Sequence, residues 1–182
     1  NLSEDIDIRE NLLKAVSGSS MTLSIAALNA LIPVKSEERE EAMKIFYNRW
    51  KNNPVILDTW FGMEASIPRE NSLEITKGLL NHHLFDSLAP NSIRAVLGGF
   101  SQNTKYFHAT DGSGYMFMAN QIIAIDKRNP ITASRLSKVF SRWDNYIDVN
   151  SKSMLKALML LDNHNLSDNT HEVVKLMMSK TN

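Results

Sequence analysis

The histidines of this chain are its best candidates for catalysis or metal binding, and none sits in a complete catalytic pattern. His171-Glu172-Val173-Val174-Lys175 comes nearest. A zinc peptidase helix carries His-Glu-x-x-His, because histidines four residues apart share a helical face and can grip one ion. Here Lys175 replaces the second histidine, and a protonated ammonium repels a metal. The stretch is therefore read as an ordinary C-terminal surface helix. His82, His83 and His108, with Asp111, could in principle meet at a metal, but no pair has the spacing of a metal motif. The simpler expectation is that His82 and His83 close a helix C-terminus, where the dipole favours cations, and that His108 hydrogen-bonds within a loop. No catalytic residue, metal or cofactor is assigned to this chain.

Asp111-Gly112-Ser113-Gly114-Tyr115 leads into an apolar stretch and could cradle a phosphate on helix N-terminal amides. No strand precedes it, no P-loop lysine follows, and Asp111 puts negative charge where the phosphate would sit. A tight turn, with Asp111 or Ser113 capping the next helix, is the expected role. Arg94 and Arg135 are placed in the first turns of helices that open at Pro90-Asn91 and Asn129-Pro130. A cation there opposes the helix dipole, so helix stability does not account for either. Two explanations stay open. One is a salt bridge to Asp86, Asp111 or Asp126. The other is that both arginines project into a cavity and handle an anionic or carbonyl group.

The elements that must hold these residues are helices. Apolar residues recur with helical spacing in Met21, Ile25, Leu28 and Ile32; in Ala42, Ile45, Phe46 and Trp50; and in Ile93, Val96, Leu97 and Phe100. Leu136, Val139, Phe140, Trp143 and Ile147 form a later set. No run alternates as a strand would. Tyr115 to Asp126 is apolar nearly all round and predicts a helix buried on most sides. Breaks fall at Gly18 to Ser20, Pro33 and Pro68. Ser36, Asn53 and Asn129 are expected N-caps, and Asn71 with Glu74 resembles a capping box. The prediction is all-α: about ten helices with short links, an irregular α-α superhelix built as a solenoid of antiparallel helix pairs. No fixed sequence period marks a consensus repeat array. Residues 1–182 are expected to form one domain.

The chain has 182 residues, no cysteine, and 20 basic against 20 acidic side chains. Its core needs neither a disulfide nor a thiolate zinc site. Balanced charge gives no reason to expect nucleic acid or an anionic membrane as partner, and no stretch of about twenty apolar residues is present. A cytoplasmic location is the expectation. The nine methionines are read as fillers of gaps in helix packing.

Several motifs together resemble the C-terminal domain of the aminopeptidase N (alanyl aminopeptidase) enzymes, the M1-type zinc metallopeptidases. They are Trp60-Phe61, Gly78-Leu79-Leu80-Asn81-His82 with Phe85, Pro90-Asn91-Ser92-Ile93-Arg94, Phe107-His108, Asp111 through Phe117, and Asn129-Pro130 with Ala133-Ser134-Arg135. The resemblance implies that this is the last part of a longer protein. Zinc, its His-Glu-x-x-His ligands and the catalytic tyrosine would then lie in an upstream domain. The helical domain would close over that active site, dock on the catalytic domain, and line a channel for peptide substrates. Arg94 and Arg135 would face the channel near the substrate's C-terminal side. Where the family often has Asn-Pro-Gln, this chain has Asn129-Pro130-Ile131, so Ile131 would make such a wall more apolar. Ile147, Asn150 and Ser151 also depart from the family pattern. A free-standing helical-repeat interaction scaffold is the alternative, and an independent metal hydrolase the remote one.

Overall fold

A computed structural model describes residues 5–179. Eleven α-helices occur among them: α1 (Ile6–Ser17), α2 (Met21–Leu31), α3 (Glu37–Trp50), α4 (Pro54–Ser66), α5 (Ser72–Leu80), α6 (Pro90–Gln102), α7 (Thr104–Phe107), α8 (Ser113–Asp126), α9 (Pro130–Ser137), α10 (Asp148–Asp162) and α11 (Asp168–Met178). Two short 3-10 turns lie between α9 and α10. No strand is present among the described residues. The all-α superhelix expected from the periodicity is the observed architecture.

Local chemistry sets several of the helix starts. Ser36 Oγ accepts from Arg39 N–H at 3.2 Å, and Asn129 Oδ1 accepts from Thr132 N–H at 3.0 Å. Asn53 does the same for Ile56 at 3.4 Å. Each satisfies a backbone donor that the helix itself leaves unpaired. Asn71 departs from expectation: its side chain makes no cap bond. Ser72 turns back instead, accepting from Arg69 N–H and donating to the carbonyls of Ile67 and Arg69. The capping box is therefore replaced by a serine-centred turn. The set Leu136 to Ile147 is not one helix either. α9 stops at Ser137, and Ile147 is 71% exposed.

Packing is strongest between α4 and α6; the adjacent pairs α1–α2 and α8–α9 follow, and α1–α3 and α9–α11 also pack closely. Stacking of this kind builds a superhelix. The core has two lobes that meet at α4. Leu57, Phe61 and Ala65 belong to the larger lobe, which runs through α6, α8 and α10. Ile56, Met63 and Ile67 belong to the smaller lobe with α1, α2 and α3. Trp60 packs against both, and its indole N–H donates to the Met43 carbonyl at 3.2 Å. α4 is thus buried on opposite sides, and α8 is buried on most sides, as its apolar sequence predicts. α8 keeps an open edge at Met116, Asn120 and Ala124, spaced four apart.

Candidate functional site

The loop before α8 is held by polar contacts converging on His108. Asn150, on α10, donates from Nδ2 to the His108 carbonyl at 2.8 Å and to the Tyr115 hydroxyl oxygen at 2.9 Å. The Tyr115 hydroxyl hydrogen is then free to serve His108 Nδ1, 2.7 Å away. That leaves the proton on Nε2, which donates to the Tyr146 oxygen at 3.2 Å. Tyr146 also stacks on the imidazole, with ring centroids 4.6 Å apart. Every polar atom of the neutral ring is used.

The glycines make this packing possible. Gly112 has φ of 72°, a left-handed conformation that glycine adopts without strain. A side chain at Gly114 would place its Cβ 2.5 Å from the Phe107 carbonyl oxygen. Gly112, not Asp111 or Ser113, holds the N-cap position, and no side chain caps α8. Asp111 Oδ1 instead accepts from Ser113 N–H at 2.9 Å, which holds its carboxyl below the usual range. Asp111 and Gly112 form the turn that leads into α8, whose first turn holds Ser113, Gly114 and Tyr115. Sequence reasoning placed His108 in a bonded loop but missed Tyr146 and Asn150 as its partners. They lie 38 and 42 residues away, and no local pattern signals such a contact.

Burial lowers the pKa of His108 from 6.5, and that of His82 likewise, with neighbouring His83 adding to the effect at His82. In the unfolded chain both bind a proton first as pH falls. Their contribution to stability is therefore complete above about 6.5 and declines below it. We expect the melting temperature to drop between about pH 7.5 and about pH 5.5. The drop should shrink in a His108→Gln, His82→Gln double variant. An equal drop in parent and variant would assign the pH dependence to other groups.

The remaining candidates lie apart. His82 follows the end of α5, where its ring sits among Tyr47, Trp60 and Phe61 and its Nε2 lies 3.4 Å from the Tyr47 hydroxyl. His171 and Lys175 share one face of α11 and both address Asp162 of α10, at 3.4 and 2.9 Å. The Lys175–Asp162 ion pair, with His171 beside it, joins the two helices. Among the described residues no three His, Cys, Asp or Glu side chains gather as a metal set. The side chains present do not fit a zinc centre.

Arg94 is the fifth residue of α6, just beyond its first turn, and is exposed. Its guanidinium bonds to the Pro90 carbonyl at 3.3 Å and to Asn91 Oδ1 at 2.5 Å. It borders a groove of about 460 Å³ between α4 and α6, which Asp58, Asn29 and Gln102 also line. Arg135 is exposed in the last turn of α9, not the first. A cation is favoured there, so the dipole argument does not hold for Arg135. Neither arginine pairs with Asp86, Asp111 or Asp126. Asp86 accepts from the backbone at Leu88 and Ala89, and Asp126 binds Ser167 and Thr170. Ile131 is 59% exposed in the first turn of α9. Neither Arg135 nor Ile131 lines the Arg94 groove.

A stacked all-α superhelix with these polar inserts is the architecture of ARM-type repeat domains. Residues 2–179 match the family described as a domain of unknown function (DUF3458_C) with ARM repeats, and the chain belongs to that family, the C-terminal helical domain of M1-type aminopeptidases. Aminopeptidase N of Escherichia coli is 35% identical over 158 residues, covering 86% of this chain and 18% of that protein. Aminopeptidase N of Caulobacter vibrioides is 32% identical over 75% of this chain and 16% of the relative. Among solved structures, Legionella pneumophila aminopeptidase A, in complex with aspartic acid, superposes with a TM-score of 0.85 at 31% identity. The match covers 94% of this chain and 21% of that one. The chain thus spans about a fifth of the length of these relatives. No helix among the described residues is long and apolar enough to cross a membrane.

Proposed function

We propose that residues 1–182 act as one non-catalytic helical domain of a longer zinc aminopeptidase that removes N-terminal residues from peptides. In this reading the domain docks on an upstream catalytic domain, closes over the active site and lines the substrate channel. The zinc and its ligands belong to that upstream domain, and the longer protein works in the cytoplasm. The observation that carries the reading is the match of nearly the whole chain to one fifth of aminopeptidase structures and sequences. The exposed apolar side chains of Tyr146, Ile147 and Val149 are in keeping with it.

Arg94 and Arg135 are the residues proposed to meet the substrate's C-terminal side, with Ile131 adding an apolar wall. Arg94 already stands at the edge of a groove. The test uses the longer enzyme. Arg94→Ala and Arg135→Ala should each raise KM for a tripeptide with a free carboxylate by about tenfold, the loss of one charge-assisted contact. Hydrolysis of an alanyl chromogenic amide, which lacks that carboxylate, should change little. Equal effects on both substrates, or none on either, would remove the arginines from the channel.

A further inference from the structure

A second pocket plays no part in the reading above. It lies where the last turn of α5 and the 81–89 loop meet α6 and α8, and encloses about 260 Å³. Apolar side chains form its floor: Phe85, Leu97, Phe117 and Ile125. Lys77 and Arg128 stand exposed at its edge beside the side-chain amides of Asn81 and Gln121. No carboxylate lines it. Lys77 pairs with Glu74 at 2.7 Å, an exposed contact that holds it only weakly. Arg128 has no ion-pair partner among the described residues.

We infer that this pocket binds the apolar C-terminal residue of a peptide. The floor accepts the side chain, and small-ligand sites combine apolar walls with a few placed polar groups in this way. The Arg128 guanidinium, helped by Lys77, donates charge-assisted hydrogen bonds to the terminal carboxylate. The Gln121 amide and the side-chain oxygen of Asn81, whose Nδ2 donates to the Lys77 carbonyl at 2.9 Å, are placed to serve the preceding peptide group. A free amino acid fits worse, because its ammonium would face two cations and no carboxylate. A plain hydrocarbon acid would offer nothing to the Gln121 amide or to the Asn81 side-chain oxygen. This site is separate from the Arg94 groove and does not depend on the peptidase reading.

The test is an amide-resolved NMR titration of the 182-residue chain with four probes: N-acetyl-phenylalanine, its carboxamide, phenylalanine and octanoate. N-acetyl-phenylalanine should bind with a Kd on the order of 1 mM, as expected for so small a ligand. Shifts should concentrate at residues 77–87 and 117–128. The other three probes should bind about tenfold more weakly, the effect of one lost charge-assisted contact or one unpaired group. Arg128→Gln should weaken N-acetyl-phenylalanine about tenfold without changing the melting temperature, and Arg94→Ala should leave it untouched. The inference is overturned if the carboxamide binds as well as the acid, if octanoate binds as well, if Arg128→Gln has no effect, or if no probe shifts these residues.

Discussion

Replacing Gly99 by alanine lowers the stability of this chain by about 3 kcal/mol, whereas the same change at the adjacent Gly98 raises it by about 0.5–1 kcal/mol. α4 and α6 cross at Gly62 and Gly99. A Cβ at Gly99 would overlap the Gly62 carbonyl oxygen and lie 3.0 Å from Gly62 Cα. The obstruction is backbone, which no side-chain rotation can relieve. The helices would have to separate, opening the junction between the two lobes of the core. Helix propensity alone favours alanine by about 1 kcal/mol, so the steric term decides the sign at Gly99. At Gly98 a Cβ meets nothing within 4 Å, and the propensity gain stands alone. Denaturant unfolding of the two variants checks this. A Gly99→Ala protein as stable as the parent would mean that the α4–α6 crossing is not the tight junction described.

Asp126→Ala costs a similar amount, about 3 kcal/mol, through a different mechanism. Asp126 ends α8 and is 5% exposed. Its Oδ2 accepts from Ser167 N–H at 2.7 Å, and its Oδ1 from Ser167 Oγ at 2.6 Å and Thr170 Oγ1 at 2.5 Å. Ser167 is the N-cap residue of α11 but makes no side-chain cap bond of its own. The carboxylate of another helix supplies the cap, and its negative charge complements the positive end of α11. Removing it leaves the Ser167 backbone N–H without its acceptor and the buried Thr170 hydroxyl with only the longer contact to the Pro130 carbonyl, at 3.3 Å. Asp126→Asn should recover only part of the loss, because an amide presents one acceptor oxygen and an NH₂ facing donors. Thr170→Val combined with Asp126→Ala should cost less than the sum of the two single changes. Additive losses, or a loss under about 1 kcal/mol for Asp126→Ala, would show that α11 is capped by other means.

The sequence by itself determined the all-helical class and the starts of α3, α4 and α9. Ser36, Asn53 and Asn129 cap as their types and positions predict, because a cap bond spans three residues and needs no tertiary partner. The family resemblance was legible for the same reason: its motifs are short contiguous runs that keep their order. The superhelix was legible as a class, although no sequence period marks its repeats, since stacking needs apolar faces rather than identical residues. Only the tertiary structure decided the rest. It placed α4 between the two lobes of the core, put Arg135 at the end of its helix, and bound Asp126 to residues 41 and 44 positions away. It also separated Gly98 from Gly99, which read alike in the chain. These outcomes depend on which surfaces meet after folding, and residue types record that only at a distance no local pattern can carry.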